Sequence, residues 1–259
     1  MSFDMRFTAA AILAIYACVA LLERVPRLRF RDSRLLRPGF LTDVAWYASA
    51  VLVTLAFGPF MEGLSSAVAR TGIPTLAGVN LPLWAQVSLA VVLYDLGTFA
   101  SHVMLHRVDW LWRVHKVHHS SPTLDWLATT RAHFSEHLFR GLPTQAVLFA
   151  VGLPTEAVAL GLAIYAAFAT LGHSNLRVDL GFLEPLLITP RLHRLHHVPE
   201  TTDRNFATVF SFWDRMAGSL VSKDTSPAET LGVPGEERTY PQGWWRQLWE
   251  PLRASRRAS

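Results

Sequence analysis

The residues in this sequence best suited to chemistry are its histidines, and they are confined to one part of the chain. All 11 lie between positions 102 and 197 of the 259 residues. The single cysteine excludes an intramolecular disulfide framework, cysteine-based zinc or iron–sulfur sites, and covalent attachment of c-type haem. Any metal chemistry must therefore use imidazole and carboxylate groups.

Eight of the histidines fall into three boxes with helical spacing. They are His102 and His106 in an HxxxH box, His115, His118 and His119 in an HxxHH box, and His193, His196 and His197 in a second HxxHH box. Residues three and four apart share one face of a helix. We therefore expect each box to direct two or three imidazoles at one point. So many nitrogens exceed the needs of one tetrahedral zinc ion and suit two metal ions.

Three further histidines lie outside the boxes. His173 opens an HSN sequence after an apolar tract, and we expect it to point into the same centre. His133 is interpreted as a metal ligand or as a hydrogen-bonding neighbour of one. His137, four residues later, is interpreted as structural or substrate-lining.

Apolar stretches are expected to hold these boxes at a membrane. The chain is 51% hydrophobic and 17% charged, whereas ordinary soluble domains carry roughly 25% charged residues. A spanning helix needs about 20 apolar residues, and the candidate stretches are 7–23, 41–61, 81–101 and 142–172. The last is broken at Gly152-Leu153-Pro154, which predicts a helical hairpin or a re-entrant segment followed by a spanning helix. We predict an all-α, multi-pass membrane fold with about four spans.

The loops between these stretches predict the orientation. Residues 24–40 hold six arginines, whereas residues 62–80 hold only Arg70. The positive-inside rule therefore places residues 24–40 in the cytoplasm. The boxes then share the cytoplasmic face, in a helical cap below the membrane (the inner membrane, in a bacterium). A signal peptide is the alternative for residues 7–23, although no small-x-small cleavage site follows.

Two features limit the reactions that the boxes could catalyse: the absence of a glutamate base and the position near the membrane. Neither HxxHH box contains the glutamate base of HExxH zinc hydrolases. Imidazole binds iron, copper, nickel and zinc alike, so the ligand type does not choose the metal. A site just below a membrane is accessible to an acyl chain or a sterol nucleus. Attack on an unactivated C–H bond there requires a redox metal and oxygen.

The boxes and the motifs between them resemble the fatty acid hydroxylase / sterol desaturase superfamily of integral membrane diiron oxygenases. The resemblance covers about residues 90–220, and in order it includes Asp95, HVMLH, HKVHHSS, TTRAH, GHSN, TPRLHRLHH, TDRNF and WDRMAGS. Residues 1–80 and the tail match only in general character. The sequence departs from the family's pattern after the TTRAH histidine, His133, where Phe134 replaces the usual proline.

The resemblance implies two non-haem iron ions as the cofactor and O2 as co-substrate. It implies that the eight box histidines are metal ligands, with His173 where related members place a further ligand and His133 in a recurring R-x-H element. Electrons would come from a separate donor of reductase, ferredoxin or cytochrome type. No bound nucleotide or haem is expected, because the sequence contains no Gly-rich nucleotide loop and no cytochrome-like domain.

Four polar residues are predicted to support the metal ligands by fixing imidazole tautomers: Asp95, Asn175, Asp203 and Asn205. Asp95 lies seven residues before His102 on the same helical face, in apolar surroundings. A buried carboxylate is costly unless it is paired, so we expect Asp95 to bond a ligand histidine or a nearby arginine such as Arg107.

Three regions are predicted along the chain. Residues 1–80 hold the first membrane helices and the arginine-rich loop, residues 81–222 form the histidine-box catalytic domain, and residues 223–259 form a tail. The tail carries tryptophans at helical spacing, which predicts an amphipathic helix in the membrane interface or a tryptophan-rich lid packed on the domain.

The sequence therefore predicts an O2-dependent hydroxylase or desaturase of a lipid, sterol or carotenoid-like substrate, with hydroxylation slightly favoured. Nucleic acid is not expected as a partner, because the arginines flank apolar stretches. The alternatives are a histidine-rich metal transporter or sensor, a haem-binding electron carrier, and an inactive lipid-binding relative. Transport sites lie at mid-span on broken helices, and a haem carrier would use isolated histidines that face each other, so both fit the boxes less well.

Overall fold

The described part of the chain is built from helices. The computed structural model describes residues 5–32, 34–71, 76, 79–222 and 230–253. Its α-helices are α1 (Met5–Leu22), α2 (Phe40–Arg70), α3 (Leu83–Arg107), α4 (Asp109–His119), α5 (Phe134–Glu136), α6 (Leu142–Val151), α7 (Thr155–His173), α8 (Pro190–His196), α9 (Phe212–Ala217) and α10 (Trp244–Trp249). Within these ranges the only β-pairing is an isolated bridge between Arg29 and Leu176. The all-α prediction is confirmed for the described residues.

Two helices are long and apolar enough to cross a membrane. They are α3 and α7, judged by length and composition. Shorter apolar segments, Ala9–Leu22 and Phe40–Ala56, lie within α1 and α2. Four spans therefore remain a prediction, to which α3 and α7 give the clearest support.

The apolar tract at residues 142–172 is interrupted where the sequence predicts. Helix α6 ends at Val151, Gly152 adopts a φ of +83°, and α7 begins after Pro154. At 1.5 Å per residue, the ten residues of α6 extend about 15 Å, which is about half of the hydrocarbon core. Because α6 continues helical turns that begin at Phe134, the hairpin and the re-entrant segment both remain predictions.

Helix α3 packs closely on α6 and α7 through small residues. A Cβ at Gly161 would lie 2.8 Å from Cβ of Ala90, and a Cβ at Gly97 would lie 2.7 Å from Cγ2 of Thr144. Small residues allow this close approach between membrane helices. Helices α3 and α7 both carry histidines at their C-terminal ends. Their packing therefore places those histidines at the same end of the helix pair.

A buried network of charges joins α2 and the segment before it to the segment between α4 and α5. Arg37 donates to both oxygens of Asp125, at 2.6 and 2.5 Å, and pairs with Asp43 at 2.6 Å. Arg131 pairs with the same Asp43. All four side chains are buried, so each charge is compensated by its neighbours. The network ties residues of the predicted first region to the histidine-box region.

The tail combines features of both predicted alternatives. Gln247 of α10 is buried, accepts a hydrogen bond from Trp46 Nε1 at 2.8 Å, and donates to Ser120 Oγ at 2.9 Å. This face of the tail therefore packs on the domain as a lid. Large apolar side chains on the other face are exposed: Trp245, Trp249 and Leu252. Residues 223–229 and 254–259 of the predicted tail region lie outside the described residues.

Candidate metal centre

A sharp corner between α3 and α4 brings the first two boxes together. Val108 is extended, with φ −102° and ψ 117°, so α3 ends at Arg107 and a new helix begins at Asp109. The rings then meet in pairs across the corner. The Nε2 atoms lie 3.0 Å apart in the pair His102–His115 and 3.2 Å apart in the pair His106–His119.

The second HxxHH box is placed by the start of α8. Thr189 caps this helix by accepting a hydrogen bond from the Leu192 amide at 3.3 Å, and Pro190 occupies the first turn. Helix α8 packs on the end of α7. As a result, His193 Nε2 lies 3.0 Å from His173 Nε2.

The histidines form two groups that each suit one metal ion. Within a group the ligand nitrogens lie within 4.8 Å of one another, and every member is buried. The first group is His102, His106, His115, His119 and His196, and the second group is His118, His173, His193 and His197. The eight box histidines and His173 are thus brought together.

Each HxxHH box is divided between the two groups, and the division is reversed from one box to the other. His115 and His119, at i and i+4, belong to the first group, whereas His118 belongs to the second. In the later box, the i and i+4 residues belong to the second group and His196 belongs to the first. The expectation that each box aims at one point is therefore corrected. An i+3 residue is offset around the helix from the i, i+4 pair, so a single box reaches two adjacent sites.

Backbone carbonyls fix the tautomer of four rings. Nδ1 of His102 donates to Phe206 O at 2.7 Å, and Nδ1 of His118 donates to Arg131 O at 3.0 Å. The Nδ1 atoms of two more rings lie at 2.8 and 2.7 Å from the carbonyl oxygens of Ala169 and Arg204: His173 and His196. A carbonyl only accepts, so Nδ1 carries the hydrogen and Nε2 of each neutral ring presents a lone pair.

These lone pairs converge on one another rather than on donors. His118 Nε2 and His173 Nε2 lie 3.0 Å apart, although both are acceptors. Among the described residues, Nε2 of His196 and both nitrogens of His197 are buried without a hydrogen-bond partner. Buried polar atoms are rarely left unpaired. A cation between the rings would satisfy these nitrogens, so the residues present fit a pair of metal ions.

Burial keeps the box histidines of α4 and α8 neutral. It lowers the pKa of His196 to about 3, and it lowers the pKa of His118 well below the usual range, with repulsion from neighbouring imidazoles adding to the effect. Burial is also the main cause that lowers the pKa of His115, His119, His193 and His197, and for His115 the charge of Arg140 adds to it. Neutral imidazole is the form that binds a metal ion.

Of the four predicted supporting residues, only Asp203 contacts a ligand imidazole. Its Oδ1 lies 3.2 Å from His106 Nδ1. The carboxylate of Asp95 instead accepts the amides of Val209 and Phe210, both at 2.9 Å. The expected pairing of Asp95 with an imidazole or with Arg107 is therefore not made, because backbone amides satisfy this carboxylate. Asp95 fixes the loop that follows Phe206, and the Phe206 carbonyl accepts the hydrogen bond from His102. The effect of Asp95 on this ligand ring is therefore indirect.

The two predicted asparagines hold loops rather than imidazoles. Asn175 accepts a hydrogen bond from the Arg31 amide at 3.3 Å and donates to the Arg31 carbonyl at 2.7 Å. Asn205 donates to Leu192 O at 2.9 Å and to Val221 O at 2.8 Å, from a backbone with φ +53°. The side-chain amides of both asparagines are therefore bonded to backbone groups of neighbouring segments. The sequence pattern does not reveal these contacts.

His133 and His137 lie outside both groups. His133 caps the short helix α5, with Nδ1 2.6 Å from Ser135 Oγ and Nε2 3.2 Å from Leu248 O. Its ring also packs on Trp46, with the ring centroids 5.7 Å apart. The structure therefore does not bring His133 into either group, because its ring is directed at the tail.

Two further residues lie beside ligand imidazoles and are not among those predicted from the sequence. Glu136 Oε2 lies 3.1 Å from His115 Nδ1, within ion-pair distance but without hydrogen-bond geometry, and Thr202 Oγ1 is hydrogen-bonded to His119 Nδ1 at 3.2 Å. Glu136 is a carboxylate beside His137 at the edge of an apolar tract, and this is a signal by which it could have been found. Thr202 carries no comparable signal.

A cavity of about 240 Å³ borders the outer side of the first group. Trp112 forms part of its wall, and the Trp112 ring centroid lies 4.9 Å from that of His106 and 5.3 Å from that of His119. The other lining residues are Lys116, Pro199, Thr202, Asp203, Pro234 and Glu236. Polar groups that contact two ligand rings therefore also face this cavity.

Comparison with known proteins identifies similar sequences. The family model described as fatty acid hydroxylase matches residues 87–219. Ornithine lipid hydroxylase OlsE of Rhizobium tropici is 30% identical over 173 residues, which are 66% of this chain and 51% of that protein. Alkylglycerol monooxygenase of Danio rerio is 29% identical over 171 residues, 62% of this chain and 38% of that protein. Cholesterol 25-hydroxylase of Mus musculus is 29% identical over 159 residues, 58% of this chain and 51% of that protein.

The chain spans about half or less of the length of these curated relatives, with coverage of 51%, 38% and 51%. No solved structure matches it. The matched segment, residues 87–219, contains every histidine of both groups.

Proposed function

We propose that this chain, which belongs to the fatty acid hydroxylase family, is a membrane-bound, oxygen- and iron-dependent hydroxylase of a lipid-like substrate. Hydroxylation is proposed over desaturation because the relatives named above are hydroxylases and a monooxygenase. A lipid-like substrate is proposed because those names specify an ornithine lipid, an alkylglycerol and cholesterol.

The observation that carries this proposal is the pair of buried histidine groups with converging lone pairs. The group of five would hold one iron ion and the group of four would hold the other. When bound, the irons supply the redox chemistry by which O2 is reduced and a C–H bond is oxidised. No glutamate base lies within the boxes, so metal-assisted hydrolysis of the HExxH type is not favoured.

The protein's own residues orient and insulate this centre. Four backbone carbonyls fix ring tautomers, and Glu136, Thr202 and Asp203 approach the outer nitrogens of three further rings. Such partners hold a ligand ring in position and raise its basicity. Every ligand histidine is buried, and this burial would limit the access of water to the reacting atoms.

The reaction requires co-reactants from outside the chain. In a hydroxylation, one atom of O2 enters the substrate and the other leaves as water, and this consumes two electrons and two protons. We propose a separate electron donor of reductase, ferredoxin or cytochrome type, since the sequence contains no Gly-rich nucleotide loop. The donor would act at the cap, on the side away from the membrane.

The histidine groups are proposed to lie at the cytoplasmic surface of the membrane. Helices α3 and α7 are the candidate spans, and each ends at ligand histidines. The six arginines of residues 24–40 support a cytoplasmic position for that loop. A lipid could then approach the centre from the bilayer along α3 and α7.

The proposal is tested by searching for oxygenated lipids. Purified protein, loaded with iron anaerobically, is incubated in vesicles of bacterial polar lipids with isotopically labelled O2 and reduced ferredoxin. We expect a lipid that gains one labelled oxygen atom, and no such product from a His118→Ala/His196→Ala variant. A fully iron-loaded protein that oxygenates no lipid, including added alkylglycerol and cholesterol, would contradict the proposed activity.

A further inference from the structure

Arg140 lies between the histidine centre and the candidate spans. It belongs to a π-helical turn, His137–Gly141, that leads into α6. Its Nη2 donates to the Tyr165 hydroxyl at 3.0 Å. Tyr165 precedes His173 by eight residues on α7, which is about 12 Å along the helix axis. The guanidinium therefore lies on the membrane side of the histidines.

The guanidinium retains unused hydrogen-bonding capacity. Nη1 donates to Glu136 Oε1 at 3.3 Å, in addition to the bond with Tyr165. Arg has five N–H donors, and within the described residues the other three find no hydrogen-bond acceptor. The Arg140 side chain is 21% exposed, whereas Glu136 is 3% exposed. A charged group at this depth is costly and marks a functional site in a membrane protein.

A short chain of contacts links Arg140 to the first histidine group. Glu136 uses one carboxylate oxygen for Arg140 and places the other 3.1 Å from His115 Nδ1. On its opposite side, Tyr165 donates to Thr208 Oγ1 at 3.1 Å. Only the Glu136 carboxylate would therefore separate an oxygen atom bound to Arg140 from the metal ligand His115.

Beyond Arg140 the surroundings become apolar. The Tyr94 ring packs on Tyr165 with the centroids 4.6 Å apart. Behind them lies a core cluster that includes Leu148, Leu153 and Val158. Arg140 thus sits at a boundary, with metal ligands on one side and hydrocarbon on the other. A lipid reaching the centre from the bilayer would meet this boundary with its polar group.

The charge balance favours an anionic group at this boundary. The nine ligands are imidazoles, and neutral imidazoles leave the positive charge of bound metal ions uncompensated. Arg140 and Glu136 balance each other's charge, so the charge of the metal ions remains to be compensated. The fork geometry of Arg140 matches carboxylate and phosphate oxygens. Glu136 is the carboxylate that both Arg140 and His115 contact.

We propose that Arg140 recognises the substrate, and that the substrate is a lipid with a carboxylate or phosphate group near the carbon that is oxidised. This inference rests on the proposed function, since it assigns the substrate class of the same centre. Arg140 is a specificity-determining residue in this account. The unused N–H donors bind the anionic oxygens, and the acyl chain remains on the apolar side of Tyr165.

The test measures lipid binding and metal content on the same iron-loaded, full-length protein. Binding of palmitate, hexadecyl phosphate and hexadecanol is measured by native mass spectrometry from detergent. For Arg140→Gln we expect about ten-fold or greater weakening for at least one anionic probe, the effect of losing a charge-assisted hydrogen bond. Hexadecanol binding should stay unchanged. Iron content should also be retained, because the glutamine amide can still donate a hydrogen bond to Glu136. The matched control is Arg253→Gln, since Arg253 also pairs with a glutamate, Glu250, at 3.2 Å.

The outcomes separate the inference from the proposed function. A larger loss for palmitate identifies a carboxylate head group, and a larger loss for hexadecyl phosphate identifies a phosphate. Equal binding of all three probes by Arg140→Gln and wild type, with iron retained, would overturn the inference alone. A wild-type protein that takes up no iron would overturn the proposed function. Should Arg140→Gln not fold, Arg140→Lys decides. This variant keeps the charge without the fork, so it must weaken anion binding while retaining iron, and unchanged binding refutes the role.

Discussion

His118 and His173 face each other across 3.0 Å through their Nε2 atoms, although each ring already donates its Nδ1 hydrogen to a backbone carbonyl. Two neutral imidazoles in this arrangement present lone pairs to each other. Only a cation between them turns the contact from repulsive to attractive. This pair is therefore the most direct sign that the second histidine group is built for a metal ion.

His133 provides a matched control for the ligand histidines. Because its ring contacts Ser135 and Leu248 rather than either group, we expect His133→Asn to retain full iron content. Loss of the contact with the Leu248 carbonyl should lower stability by about 1 kcal/mol. Iron per chain and melting temperature are measured beside His173→Asn, which should lose iron. Equal iron loss in the two variants would place His133 at the centre after all.

Glu136 is expected to strengthen metal binding through His115. Removing a carboxylate that orients a ligand imidazole typically costs about 10–100-fold in metal affinity. We therefore expect Glu136→Ala to release iron to a chelator at a correspondingly lower chelator concentration. Asp32→Ala is the control, because it removes an exposed carboxylate that pairs with Arg29. If both variants hold iron as wild type does, Glu136 has no supporting role.

The metal-stripped protein should lose stability on acidification. Burial depresses the folded-state pKa of the α4 and α8 histidines, to about 3 for His196, below the unfolded value of about 6.5. The unfolded chain then binds protons that the folded chain does not. Stability is therefore complete above about pH 6.5 and falls as the pH decreases towards the folded pKa values.

Thermal melting of the stripped and iron-loaded proteins measures this effect. We expect the stripped protein to melt at a clearly lower temperature at about pH 5.5 than at about pH 7.5. Bound iron should shift this decline to lower pH, because protons must first displace the metal. A melting temperature of the stripped protein that does not change with pH would mean that its histidines are not held neutral by burial.

The buried charge network should be far more sensitive than a surface ion pair. Asp43→Ala removes the carboxylate shared by Arg37 and Arg131, and loss of one partner in a buried pair costs about 3–5 kcal/mol. Asp32→Ala removes the partner of Arg29, but Asp32 is 89% exposed, so we expect a loss under about 1 kcal/mol. Similar melting temperatures for the two variants would contradict the compensation of charge in the network.

Several features of the fold and the site follow from local sequence patterns. The break at Gly152 and Pro154 was predictable because both residues disfavour a continuous helix. The convergence of the boxes was predictable because the i, i+4 spacing places imidazoles on one helix face. His173 was expected at the same centre, and the structure brings it there.

Other features depend on tertiary contacts that no local pattern encodes. The division of each HxxHH box between two groups depends on how α4 and α8 face each other across the centre. The Asp95 carboxylate accepts hydrogen bonds from the amides of Val209 and Phe210, which lie more than a hundred residues away in the chain. The sequence pattern does not distinguish Arg37 from the other arginines of residues 24–40, to which the positive-inside rule applies. In the structure, Arg37 is buried between Asp43 and Asp125.

The metal content of the purified protein and of group-specific variants tests the central claim most directly. After anaerobic loading with iron, mass spectrometry should find close to two irons per chain. His118→Ala and His196→Ala alter different groups, so each should sharply reduce the content, and the double variant should bind almost none. Absence of a transition metal from the loaded protein, or a content unchanged by both substitutions, would contradict the account and leave the boxes a purely structural role.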